Sequence, residues 1–254
     1  MSLLYKEYIK FLKENANSER AEKGKAYLYS NLEHYGVDTW TGREFFKKHK
    51  KEILDLSKEK ALEVTKFYWE KPSFEERSFG LKILKAHKKE LTTNDMPLIE
   101  KMMRESEGWA FLDSLIIPIM PVILDKNPKA YSYLKKWIKD DDFWVRRSAL
   151  LAQIMFFREN RGNKKLFYDL AVSQFDESWI DEKYAKYKSD PKHYLHPKRA
   201  KFFIRKAIGW ATREISHKDP KGAYKFLKKY KDQMSGLSFR DGSRKLPDEY
   251  KNKL

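Results

Sequence analysis

The chain has 254 residues, no cysteine, and 54 Lys+Arg against 37 Asp+Glu, a net charge of +17. That length suffices for a large buried core, the lack of cysteine excludes disulfides and thiolate metal sites, and the excess of positive charge favours a polyanionic partner. Nothing resembles a signal peptide, and the longest apolar run, Leu115 to Leu124, is too short for a membrane span and holds Pro118 and Pro121.

From the N-terminus, Leu3 to Leu12 is the first amphipathic helical run, and Asn17-Ser18 reads as the N-cap of the next helix. Thr41 with Glu44 has capping-box spacing ahead of Phe45 to Leu56, and Ser73 with Glu76 has it ahead of Phe79 to His87. Ala61 to Trp69 lies between them. Thr92-Thr93-Asn94 caps Met96 to Met103, and the helical period returns at Tyr131 to Ile138, Val145 to Phe157 and Phe202 to Ile215. No segment alternates with a period of two between hairpin turns, so no sheet is expected. Helices that pair every ~35–45 residues predict an all-α curved solenoid of HEAT-like repeats, a single domain over residues 1–254.

The segment from Asp176 to Lys198 breaks this rhythm, with two prolines and a basic, tyrosine-rich second half. It is expected to be a long insertion with a short helix near Ile180 to Tyr187, contributing little core. It reads either as a solvated loop or as an arm whose aromatics and cations reach nucleic acid. Charge is also uneven. Lys183 to Leu254 carries 21 basic and 7 acidic residues, so 14 of the 17 net charges lie there, and its cations are expected to lead binding to a polyanion.

In GWAFLDSL, residues 108–115, Trp109 and Asp113 stand four apart and share one helix face. A carboxylate in an apolar helix is costly unless hydrogen-bonded or used, whereas a lone tryptophan reads as core. The six histidines are scattered, so no metal is expected. No lysine stands out in an apolar helix beside the Trp109–Asp113 pair.

GWAFLDSL, WIKDDDFWVRRSAL (137–150) and FFIRKAIGWATRE (202–214), in that order and spacing, resemble the AlkD-type DNA glycosylases of the DNA alkylation-repair family, built from HEAT-like repeats. YLYSNLEHYGV (27–37) with TGREFF matches the family's opening, and LSFRDGSRK (237–245) loosely matches its C-terminal segment. Gly242 stands where the family has a small helix former, which is expected to weaken the last helix. The resemblance implies excision of cationic N3- or N7-alkylpurines from duplex DNA by a monofunctional glycosylase, with no cofactor and no lyase step. It implies a site of Trp109, Asp113 and Trp210, with Arg147 on phosphate and Tyr27 at the rim. Arg205, Lys206 and Arg213, on the helix of Trp210, are further expected DNA contacts. Arg146, next to Arg147, points elsewhere and is expected to meet the acidic run Asp140-Asp141-Asp142. The expected partner is double-stranded DNA, bound by a cytoplasmic, nucleoid-associated monomer with no obligate protein partner and no membrane. The alternative is a non-catalytic binder of damaged or branched DNA on the same basic face. A third reading is a helical scaffold for an acidic protein, which would not need the carboxylate.

Overall fold

A computed structural model describes residues 2–106 and 108–254; among them the regular elements are all helical, apart from one isolated bridge between Glu33 and Ser73. The helices gather into two compact units, the first ending at Leu115 and the second running Ile116–Leu254.

The first unit holds α1 (Ser2–Glu14), α2 (Ser18–Leu28), α3 (Thr39–Lys48), α4 (Lys50–Leu54), α5 (Lys58–Trp69), α6 (Phe74–Ala86), α7 (Met96–Arg104) and the start of α8 (Trp109–Lys126). Its core is aromatic. Tyr8 stacks on Phe79 at 4.3 Å, and Phe45 and Tyr68 meet the same ring at 5.6 and 4.9 Å. Each such side chain, buried, contributes roughly 1.5–3 kcal/mol. Local signals set the helix starts. Asn17 accepts from Arg20 N at 2.8 Å and begins α2; Ser73 accepts from Glu76 N at 3.2 Å and begins α6. The expected cap at Thr41 lies three residues too late. Asp38 is the cap, accepting from the backbone N–H of Trp40 and Thr41 and from the Thr41 hydroxyl. A carboxylate here also meets the positive end of α3, which a threonine hydroxyl cannot match. The run Phe45 to Leu56 is divided at His49 into α3 and α4.

The second unit comprises the rest of α8, then α9 (Tyr131–Trp137), α10 (Phe143–Leu151), α11 (Ile154–Arg158), α12 (Lys164–Val172), α13 (Ser178–Lys183), α14 (Pro197–Lys218), α15 (Pro220–Tyr230), α16 (Gly236–Ser243) and α17 (Asp248–Lys251). The 22-residue α14 is its spine, packed against α10, α11, α15 and α16. Two glycines let α14 and α16 meet closely. A Cβ on Gly209 would stand 2.8 Å from Asp241 Cβ, and one on Gly242 would stand 3.0 Å from Thr212 Cγ2. Gly242, expected to weaken the last helix, sits in this tight crossing, where a Cβ would press on Thr212 and Leu227 and those side chains would have to give way.

The segment 176–198 departs from expectation in its first half. It forms α13 and a short 3-10 turn, Ala185–Tyr187, near the helix anticipated there. Ile180 is fully buried and Tyr184 is 5% exposed. The Tyr184 hydroxyl accepts from Phe143 N at 3.0 Å and donates to Asp141 O at 2.9 Å, thereby capping the start of α10. The segment thus contributes core after all. In the first half of the segment only Ile180 and Tyr184 are buried, too few to register as apolar periodicity, and the other buried residues, His196 and Pro197, lie at the start of α14. Tyr184→Phe keeps the ring and strands the Phe143 N–H, so it should cost about 1–3 kcal/mol in denaturant unfolding. An unchanged midpoint would show the segment to be dispensable.

Candidate functional site

Trp109 is the first residue of α8, and Asp113 follows one turn later on the same face, both half-buried. Tyr27, near the end of α2 and 69% exposed, stands edge-on to the Trp109 ring, with centroids 6.0 Å apart and planes at 87°. The contact is T-shaped, the favourable arrangement of two ring quadrupoles.

Trp109 lines a cleft of about 350 Å³ in the first unit, together with Arg43 from α3 and Lys82 and Lys85 from α6. The loop before α3 forms another part of the wall and hangs on one carboxylate. Glu75 Oε1 accepts from Gly36 N at 2.8 Å and Val37 N at 3.3 Å, and Oε2 from Tyr35 N at 3.1 Å. Burial pushes the Glu75 carboxyl up, and the three backbone donors pull it back. Gly36 has φ +74°, and a Cβ there would lie 2.1 Å from Asn17 O, so only glycine aims these N–H groups together.

Lys82 donates to Gly42 O at 3.0 Å. Burial, then the charges of Lys85 and Arg43, hold its amine down to about 8; burial, Lys88 and Arg43 lower Lys85. Among the described residues no ion pair reaches Arg43, Lys82 or Lys85. Lys82 and Lys85 share a cleft with Trp109. Their signal in the sequence is LKILK (81–85), where two lysines three apart sit among buried Leu81, Ile83 and Leu84.

In the second unit α14 presents Trp210, whose indole N–H donates to Glu214 Oε1 at 2.9 Å. Arg158 donates to Glu214 at 3.1 Å, and Arg213 approaches it at 3.7 Å. The expected DNA contacts on this helix already have acidic partners. Arg205 grips Glu177 with two bonds of 2.6 and 2.5 Å, Lys206 lies 3.4 Å from Asp241, and Arg213 bonds Asp241 directly. Arg147, on α10, is 4% exposed; it donates to Phe203 O at 2.8 Å and lies over the Phe203 ring. Arg146 donates through Nε to the Asp140 carbonyl and stacks 3.5 Å over Trp179. It therefore meets the acidic run through the Asp140 backbone, with the charges of Asp141 and Asp140 close enough to favour its cation. Of the expected residues, Tyr27, Trp109 and Asp113 lie in the first unit, and Arg147, Arg205, Lys206, Trp210 and Arg213 in the second.

The model of the DNA alkylation repair enzyme family matches residues 8–246, and the chain belongs to that family. Its all-α architecture is the HEAT-like helical fold of the family. A solved structure described as a predicted DNA alkylation repair enzyme from Enterococcus faecalis is similar at a TM-score of 0.70 and 20% identity, covering 92% of this chain and 98% of that one. A search of curated proteins found no match.

The lysines of the cleft have a measurable signature. Lys82 binds its proton less tightly folded, near 8, than unfolded, near 10.5. Between those values the unfolded chain holds more protons, so this group's penalty is full below pH 8 and fades as pH rises through the window. Tyr5, raised to about 12 by burial first and Glu76 second, adds pH dependence only above its ordinary 10. Unfolding stability should therefore rise from about pH 7.5 to about pH 9.5, and Lys82→Met should reduce that rise. A rise of wild-type size in the mutant would show that Lys82 is not the titrating group.

Proposed function

We propose that the protein is a monofunctional DNA glycosylase that hydrolyses the N-glycosidic bond of cationic N3- and N7-alkylpurines in duplex DNA. The observation that carries this reading is the Trp109–Asp113 pair at the start of α8, with Tyr27 edge-on to the indole, in a chain of the DNA alkylation repair enzyme family. An alkylated purine already bears positive charge. When its bond to C1′ breaks, the electron pair neutralises the base, which leaves without a general acid. Positive charge then develops on the sugar. The Trp109 face stabilises it through the ring quadrupole, and the Asp113 carboxylate does so by Coulomb attraction. Asp113 also orients the water that adds to C1′ and accepts its proton.

Trp210 is assigned the second cation-stabilising indole, its ring orientation held by Glu214. Arg147 is assigned to phosphate, with Tyr27 at the rim, and Arg205, Lys206 and Arg213 to DNA contact; each of those three would exchange a carboxylate for phosphate. Lys82, tied to Gly42 O, is given no imine step, and the protein is proposed to act as a monomer on duplex DNA.

Asp113→Asn, nearly isosteric, should slow single-turnover release of 7-methylguanine by ~10²–10³-fold, about 3–4 kcal/mol, at an unchanged melting temperature. Wild-type excision by the mutant would remove the catalytic assignment. A wild type that binds duplex DNA yet releases no base would shift the reading to a non-catalytic binder of damaged DNA.

A further inference from the structure

Arg205, Lys206 and Arg213 on the helix of Trp210 have carboxylate partners; among the described residues Arg43, Lys82 and Lys85, in the cleft of Trp109, have none. Lys82 and Lys85, one helical turn apart on α6, and Arg43 on α3 line one cleft, and among the described residues no ion pair neutralises them. The acids of the same cleft are committed elsewhere. Asp38 accepts from Trp40 N at 2.9 Å and Thr41 N at 3.0 Å and pairs with Arg20 at 3.6 Å, while Glu75 serves the N–H groups of residues 35–37. Tyr8, also lining the cleft, is held well above its ordinary range by burial and then Glu75, and stays neutral.

Gathering three like charges at a partly desolvated wall opposes folding. An anion entering the cleft reverses that cost, because it meets charge already gathered and partly stripped of water. Ser78 and Ser114 add hydroxyl donors to the wall. A planar guanidinium beside two point-charge amines and two hydroxyls matches the oxygens of a phosphate group.

We infer that this cleft is a phosphate subsite, in which Arg43, Lys82 and Lys85 hold a phosphodiester of the DNA strand next to Trp109. The inference rests on the duplex-DNA reading above and deepens it, moving an anchoring contact from the C-terminal quarter to the first unit. About 350 Å³ leaves room for a phosphate with an adjoining sugar. The free amine of Lys82 titrates near 8, and phosphate would hold its proton on, so binding weakens as pH rises through that value.

The test measures affinity of the full chain for an undamaged duplex and, separately, for inorganic phosphate, comparing wild type with Lys82→Gln/Lys85→Gln and with Arg43→Gln. The double variant should bind duplex roughly 10- to 100-fold more weakly, with a salt slope smaller by about 2. Wild-type affinity should fall by about 10-fold between pH 7 and pH 9, and Lys82→Gln should flatten that dependence. The double variant should melt no lower than wild type, since repulsion is relieved. Duplex binding with wild-type slope in both variants would overturn the subsite and leave the DNA reading standing. A wild type that ignores duplex but binds phosphate, with that binding lost in the variants, fails the DNA reading and supports a subsite for a small phosphorylated ligand. A fall in melting temperature matching the loss of affinity in both variants would make these side chains structural and overturn the proposal.

Discussion

The first unit depends on a single buried carboxylate. Glu75 takes three consecutive backbone N–H groups from residues 35–37, and in doing so brings the loop before α3 onto the first turn of α6. Without an acceptor there, the donors at 35–37 would face a partly buried environment unpaired. Asp38 follows at once as the N-cap of α3, so two adjacent devices set where that helix begins and where its first turns point. Arg43, one turn into α3, and the cleft wall at Val37 and Thr39 inherit their positions from this arrangement. The glycine at 36 makes it possible, because no side chain fits between the loop and the carbonyl of Asn17.

The two units handle charge differently. On α14 the basic side chains are interleaved with acids that come from other elements, Glu177 before α13 and Asp241 in α16, and from Glu214 of α14 itself. Such pairs position side chains and add little stability where they reach solvent. In the cleft that Trp109 lines, Asp38 and Glu75 accept from backbone donors, and among the described residues no ion pair reaches Arg43, Lys82 or Lys85. Net charge along the sequence cannot distinguish these cases, because it counts Lys206 and Lys82 alike while only the fold decides which one has a neighbour of opposite sign.

Most of the architecture was legible because amphipathic period survives in single sequence. The runs ending at Leu12, Trp69, His87, Met103 and Ile138 all lie on or beside helices, and Phe202 to Ile215 lies within α14. What period could not show was interruption. Val145 to Phe157 reads as one helix but is two, α10 and α11, because apolar spacing continues across the break at Ala152-Gln153. Helices opening on turn-like residues, α12 after Asn163 and α15 at Asp219-Pro220, went unread, since cap and turn share the same residue types. The resemblance drew Trp109, Asp113 and Trp210 out of the sequence, and Tyr27 stands against Trp109 in the fold. Arg43, Lys82 and Lys85 stayed hidden among 54 basic residues. Their distinction is that among the described residues no acid pairs with them, a property of three dimensions.

The close crossing of α14 and α16 bears on Trp210. Gly209 immediately precedes Trp210, and its backbone is pressed against Ser238 and Asp241, while Ser238 Oγ bonds the Arg205 carbonyl one turn earlier. The backbone on which the indole is mounted is therefore clamped from behind by the C-terminal helix. The freedom of that backbone is surrendered during folding, and the C-terminal helix α16 serves as the backstop behind the turn that carries Trp210.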